Sequence, residues 1–85
     1  MTDQHNTFPQ STSLKIISRD DESTHGQIQK TLAAHLQDQS FTHKRTSSAQ
    51  GRYVSTTVYF TAESQIQLQN LCTALKNLPN VMMLL

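Results

Sequence analysis

The one residue able to serve as a strong nucleophile is Cys72, and the groups that exchange protons near neutral pH are His5, His25, His35 and His43. Covalent catalysis needs a nucleophile with a base in hydrogen-bond reach. Cys72 instead falls among Leu68, Leu71, Leu75 and Leu78 at helical spacing, so it reads as a small packed hydrophobe, slow to react with thiol reagents until the chain unfolds. No two histidines stand at i, i+4, the spacing that sets two imidazoles on one helix face for a metal. His35 follows Leu32 by three residues and suits a helix end, where it would answer the last carbonyls. These residues imply a protein that is not an enzyme and holds no metal and no cofactor.

Two further groupings bear on ligands. Arg19 precedes Asp20-Asp21-Glu22, where a helix is expected to begin. A phosphate site there would need a glycine-rich turn and a free helix N-terminus. The acids already answer the helix dipole and repel an anion, so phosphatase chemistry is refused and the loop reads as a solvated cap. The second grouping is Tyr53 and Tyr59 on a strand, with His43, Lys44, Arg45 and Arg52 around the preceding hairpin. Exposed strand aromatics beside cations are how RNA-recognition modules stack bases. The segment from Gly51 to Val58 lacks their ordered aromatic pattern, and a net charge of +1 gives phosphates little attraction.

The bulk composition agrees with a modest binding module. Apolar residues make up 35% of the chain, below the usual share of about 45–50%. Thr, Ser, Gln and Asn fill the deficit with 34 of 85 positions. A lone cysteine makes no internal disulfide. No apolar run approaches the roughly 18 residues that a membrane helix requires. Residues Met1 to Gln10 contain no basic stretch followed by an apolar one, so no export signal is expected and the protein is expected in the cytoplasm.

Periodicity supplies the elements that must hold these groups. Residues 1–10 read as a flexible tail, and 11–85 as one domain. Thr12 to Ser18 forms a β-branched strand with Leu14 and Ile16 on one face. Ile28, Leu32 and Leu36 recur every fourth residue and mark a helix from about Ser23 to Gln37, capped by Ser23 or Asp21. Phe41 to Ser47 is a second strand, joined through Ser48-Ala49-Gln50-Gly51 to a third, Arg52 to Thr61. That third strand alternates strictly, with Val54, Thr56, Val58 and Phe60 on one face and Tyr53, Ser55, Thr57 and Tyr59 on the other. Thr61 is placed to cap a second helix, Ala62 to about Leu78, and Val81 to Leu85 ends the chain as a strand. The order β-α-β-β-α-β gives an α+β, ferredoxin-like fold: a four-stranded antiparallel sheet with two helices on one face.

Certain residues and their order are also familiar. Phe8-Pro9, Lys15-Ile16-Ile17, Ser47-Ser48 with Gly51-x-Tyr53-x-Ser55, and Leu71 to Leu75 with Val81-Met82-Met83-Leu84-Leu85 follow one pattern from residue 8 to 85. This resembles the YbeD-like family of small uncharacterised bacterial proteins. The resemblance implies a ferredoxin-like domain similar in shape to ACT regulatory domains, with no established activity. The chain departs from the family pattern at Thr12, Ser18 and Cys72, and its hairpin is one residue longer and lacks a lysine before Gly51. A basic hairpin would then have to use Arg52. ACT domains that bind amino acids receive them near a glycine between the first strand and helix, and Arg19 to Glu22 offers none.

The expected role is therefore a non-catalytic regulatory or interaction module working through its uncovered sheet face. The candidate face comprises Tyr53, Ser55, Thr57, Tyr59 and Lys15, with Arg45 and Arg52 at the hairpin, and Ser13 and Ile17 alongside. Its expected partner is another protein or a second copy. The alternative is RNA, held by the tyrosines and the hairpin cations, and no membrane contact is expected.

Overall fold

The computed structural model describes residues 8–36, 41–47 and 51–85. The elements run β1 (Gln10–Arg19), α1 (Glu22–His35), β2 (Thr42–Ser47), β3 (Tyr53–Ala62), α2 (Gln65–Lys76) and β4 (Val81–Leu84). The strands pair in the order β2-β3-β1-β4, antiparallel throughout, which is the ferredoxin-like arrangement.

Alternation decides which side of the sheet is buried. Ile16 on β1 and Val58, Phe60 and Ala62 on β3 meet Ile28, Leu32 and Leu36 from α1 and Leu71 and Leu75 from α2 in one core. Both helices thus lie against the same sheet face, the one bearing even-numbered residues of β1 and β3. Ser18 and Thr56 are buried on that face too, and Thr24 is buried on α1. Three hydroxyls in so small a core are the structural counterpart of the low apolar fraction. Ser18 Oγ donates to the Arg19 carbonyl at 3.2 Å, whereas Thr56 Oγ1 has no partner among the described residues.

Each helix start is set by a short polar side chain. Asp21 Oδ1 accepts the Thr24 N–H at 2.8 Å and caps α1. The Thr24 amide bond, with further help from the Thr24 side chain and the nearby Arg19 and His25, holds the Asp21 carboxyl below the ordinary aspartate range. The folded chain therefore favours ionised Asp21, and the stability this contributes is present above the unfolded pKa of about 3.9 and is lost as pH falls through the folded value. Urea unfolding at a series of pH values should find the parent more stable than Asp21→Asn near neutrality, and that difference should shrink as pH drops below about 4.

The start of α2 corrects the expectation that Thr61 caps it. β3 continues to Ala62, which is fully buried, and Ser64 is the cap. Ser64 Oγ accepts the Gln67 N–H at 3.1 Å, while Gln67 Oε1 accepts the Glu63 N–H at 2.7 Å. This is a close variant of the capping box, in which the residue three positions into the helix reaches back to the approaching chain. Gln67 Nε2 also donates to the His35 carbonyl at 3.1 Å, so it is the glutamine that satisfies the end of α1.

Other boundaries shift as well. β1 begins at Gln10, and Phe8 packs against the core, so the loose segment expected over residues 1–10 does not include its last three; residues 1–7 lie outside those described. α1 ends at His35 with Leu36 as its cap, two residues short of Gln37. In the hairpin, Gly51 has φ of 72°, a left-handed value that glycine adopts without a Cβ penalty, while Ser48, Ala49 and Gln50 lie outside the described residues.

Cys72 departs from its expected burial. Leu71 and Leu75 carry the buried stripe of α2, and Cys72 is only half-buried at its margin. Cys72 is therefore part of the helix surface and not of the sealed core. A maleimide reagent should label it in the native protein, more slowly than in denaturant, and complete native protection read by mass spectrometry would contradict this placement.

Candidate interaction face

With both helices on one side, the odd-numbered residues of β1 and β3 form the opposite face. Their registers place the sequence-derived candidates in detail. Lys15 stands opposite Thr57, Ile17 opposite Ser55, Ser13 opposite Tyr59 and Arg19 opposite Tyr53. On the other side of β3, Lys44 also faces Thr57, Thr46 faces Ser55 and Thr42 faces Tyr59. Directly opposed residues share a sheet face. Lys15 and Lys44 thus straddle Thr57 with about 10 Å between their strands, and the two tyrosines are about 20 Å apart along β3.

Between the tyrosines the surface dips into a shallow open groove of about 470 Å³, floored by Ser55 and Thr57 and bordered by Lys15, Lys44 and Ile17. Tyr53 is 41% and Tyr59 51% exposed, large values for aromatic rings in the middle of a sheet. A tyrosine so placed offers a broad apolar ring and a hydroxyl that stays solvated or meets a partner. The small floor lets an incoming group come close to the backbone of β3.

Two candidates do not join this face. Arg45 stands opposite Thr56, whose side chain is buried under the helices, so Arg45 alternates to the other side of the sheet. Arg52 precedes β3, and its carbonyl accepts the Asp20 N–H at 3.0 Å, so it belongs to the corner beside the β1–α1 junction. Lys44 takes the place expected of Arg45. β2 is exposed along its whole length, THKRTS, so its own sequence carries no apolar alternation to show which side is which. Only pairing with β3 sorts it. Met83, opposite Ile17, and Leu85, which exchanges two backbone hydrogen bonds with Lys15, extend the face along β4.

The β1–α1 junction is occupied by its own contacts. His25 Nε2 and Asp20 Oδ1 lie 2.8 Å apart, Ser47 Oγ donates to Asp20 Oδ2 at 3.5 Å, and Asp21 is engaged as the cap. These bonds engage Asp20, Asp21 and His25 within the fold. Among the described residues no three His, Cys, Asp or Glu come together as a metal site, and no helix is long and apolar enough to cross a membrane.

Known proteins resemble this chain chiefly in fold. The solution structure of HP0495 from Helicobacter pylori superposes with a TM-score of 0.76 at 16% identity, covering 93% of this chain and 84% of that one. A second solution structure of HP0495 gives 0.67 at 14% identity, over 100% and 95%. The ACT domain from GTP pyrophosphokinase of Chlorobium tepidum gives 0.67 at 12% identity, over 89% and 95%. At these identities the likeness is one of fold, and it includes the ACT-like shape expected from the sequence. No curated protein matches the chain. The profile of one family matches residues 3–85, nearly the whole length, and the chain accordingly belongs to the family described as "Protein of unknown function (DUF493)", the YbeD-like family.

Proposed function

We propose that this protein is a non-catalytic, ACT-like interaction module that docks a partner protein or a second copy on its open sheet face. The observation that carries this reading is the pair Tyr53 and Tyr59, half-exposed at the two ends of a groove whose floor is small and polar. Large rings around a low centre are the anatomy of interface anchors, because each buries much area at little conformational cost. Ordinary strand propensity also favours tyrosine, so the test must separate docking from folding. Tyr53→Ser with Tyr59→Ser should retain the parent's circular dichroism and cooperative melting while losing self-association in sedimentation or capture of its native partner. Equal association by variant and parent would refute the reading.

RNA binding is a second reading, favoured by Lys15 and Lys44 lying beside the rings. Phosphate-driven binding weakens steeply with added salt, whereas docking through apolar and aromatic area does not. A pull-down at low and high salt distinguishes them, and loss of the bound material on nuclease treatment would favour RNA.

A further inference from the structure

The open face is sorted into rows that cross the strands. One row reads Lys44, Thr57, Lys15 and Leu85, and the next reads Thr46, Ser55, Ile17 and Met83. Cations therefore lie toward the centre and β2, and apolar side chains toward β4, where Met83 is 53% and Leu85 66% exposed. Among the described residues no acid occupies this face. Asp20, Asp21 and Glu22 are at the β1–α1 junction, and Glu63 lies between β3 and α2. The Asp20 carboxylate is already engaged by His25 and Ser47. Neither lysine of the face is in an ion pair among the described residues.

Resting on the docking reading above, we infer that the occupant of this face is an acidic segment of a different protein, carrying apolar side chains beside its carboxylates. The carboxylates meet Lys15 and Lys44, and the apolar side chains cover Ile17, Met83 and Leu85. Charge complementarity selects this occupant over a second copy. A two-fold face-to-face pair brings the same patch against itself. Wherever the axis falls, Lys15 and Lys44 of each copy would then meet lysines, small polar groups or apolar side chains, because among the described residues the face holds no acid, and like charges set together or charges covered without a partner disfavour the pair. Complementarity also favours it over nucleic acid. Two lysines, with Arg19 at the rim, neutralise few phosphates, and the apolar half of the face gives a sugar-phosphate backbone nothing to bury.

The test is a titration of the full ¹⁵N-labelled chain with three probes: a short synthetic peptide of glutamate and leucine, its twin with glutamine for every glutamate, and a short oligouridylate. The glutamate peptide should move the amide signals of Lys15, Ile17, Lys44, Ser55 and Thr57, with affinity that falls as salt rises. The glutamine twin should bind more weakly. Lys15→Glu with Lys44→Glu should lose about tenfold in affinity for the glutamate peptide, the scale expected of two exposed ion pairs reversed in sign. If charge reversal disturbs the strands, Lys15→Gln with Lys44→Gln supplies the same comparison with a smaller loss. Equal binding of both peptides, unchanged affinity in the charge variants, shifts confined to the helical side, or tighter binding of oligouridylate would each overturn the inference. Should the peptides fail while the double tyrosine variant still loses its partner, the acidic occupant is wrong and the docking face stands. If the tyrosine variant also loses nothing, both fall.

Discussion

Leu71→Ala is expected to lower the stability of the fold by about 2–5 kcal/mol. Leu71 is fully buried on α2, in one core with Ile16, Val58 and Phe60 from the sheet and Leu32 from α1. Truncation removes three carbons, the Cγ and its two methyls, from that core and leaves a cavity that neighbours on three elements only partly collapse into. Domains are typically stable by only about 5–15 kcal/mol, and one of this size buries a smaller share of its unfolded surface than a larger domain does, so the variant should be partly unfolded at ordinary temperature. Urea unfolding is the measurement, with a lower midpoint and an unchanged slope expected. Ile66→Ala provides the control. Ile66 is 66% exposed on the same helix, so its truncation should stay within about 0.5 kcal/mol. Equal stability of Leu71→Ala and the parent would refute the packing of α2.

Asn80→Ala is expected to cost about 2 kcal/mol, although Asn80 is exposed. The residue turns the chain from α2 into β4 with φ of 71°, a left-handed conformation that asparagine tolerates better than alanine does. Its Nδ2 donates to the buried Thr24 Oγ1 at 3.3 Å, and its carbonyl accepts the Arg19 N–H at 2.9 Å. One side chain thus ties the last loop to the first turn of α1. Alanine removes that bond and also the polar side chain that lets asparagine tolerate the left-handed conformation, each worth about 1 kcal/mol. Asn80→Gly removes the bond alone, so it should cost about half as much. Thermal melting reads the difference, since 1 kcal/mol moves the midpoint of a domain this size by about 4–8 °C. Identical melting of the two variants would mean that backbone conformation contributes nothing here.

Much of this protein is legible from side-chain periodicity. β3 alternates without a break from Tyr53 to Phe60, so its two faces are separable on sight, and Ile28, Leu32 and Leu36 mark the buried stripe of α1 before any contact is known. The six-element order follows from such local signals, and with it the uncovered face and the exposure of Tyr53 and Tyr59. Asp21, one of the two caps expected of α1, is the one the structure uses. These features are local because hydrophobic period and cap chemistry act over a few residues.

The rest depends on partners distant in the chain. β2 is polar on both faces, so its sequence says nothing about which of Lys44 and Arg45 joins the tyrosines. Pairing of Lys44 with Thr57 settles that, because a shift of one residue would exchange every side chain between faces. The end of β3 is likewise tertiary. Ala62 has the highest helix propensity of any residue type, yet the strand keeps it because Ala62 pairs with Gln10 and is buried in the core, leaving Ser64 to start α2. Cys72 lies within the apolar stretch of its helix, but only the packing of α2 against the rest of the fold leaves it partly exposed while Leu71 and Leu75 are sealed. The amino-acid sequence therefore determined the elements and the face on which binding is proposed, and the tertiary structure decided which cations share that face, since register is a property of two strands and not of either one alone.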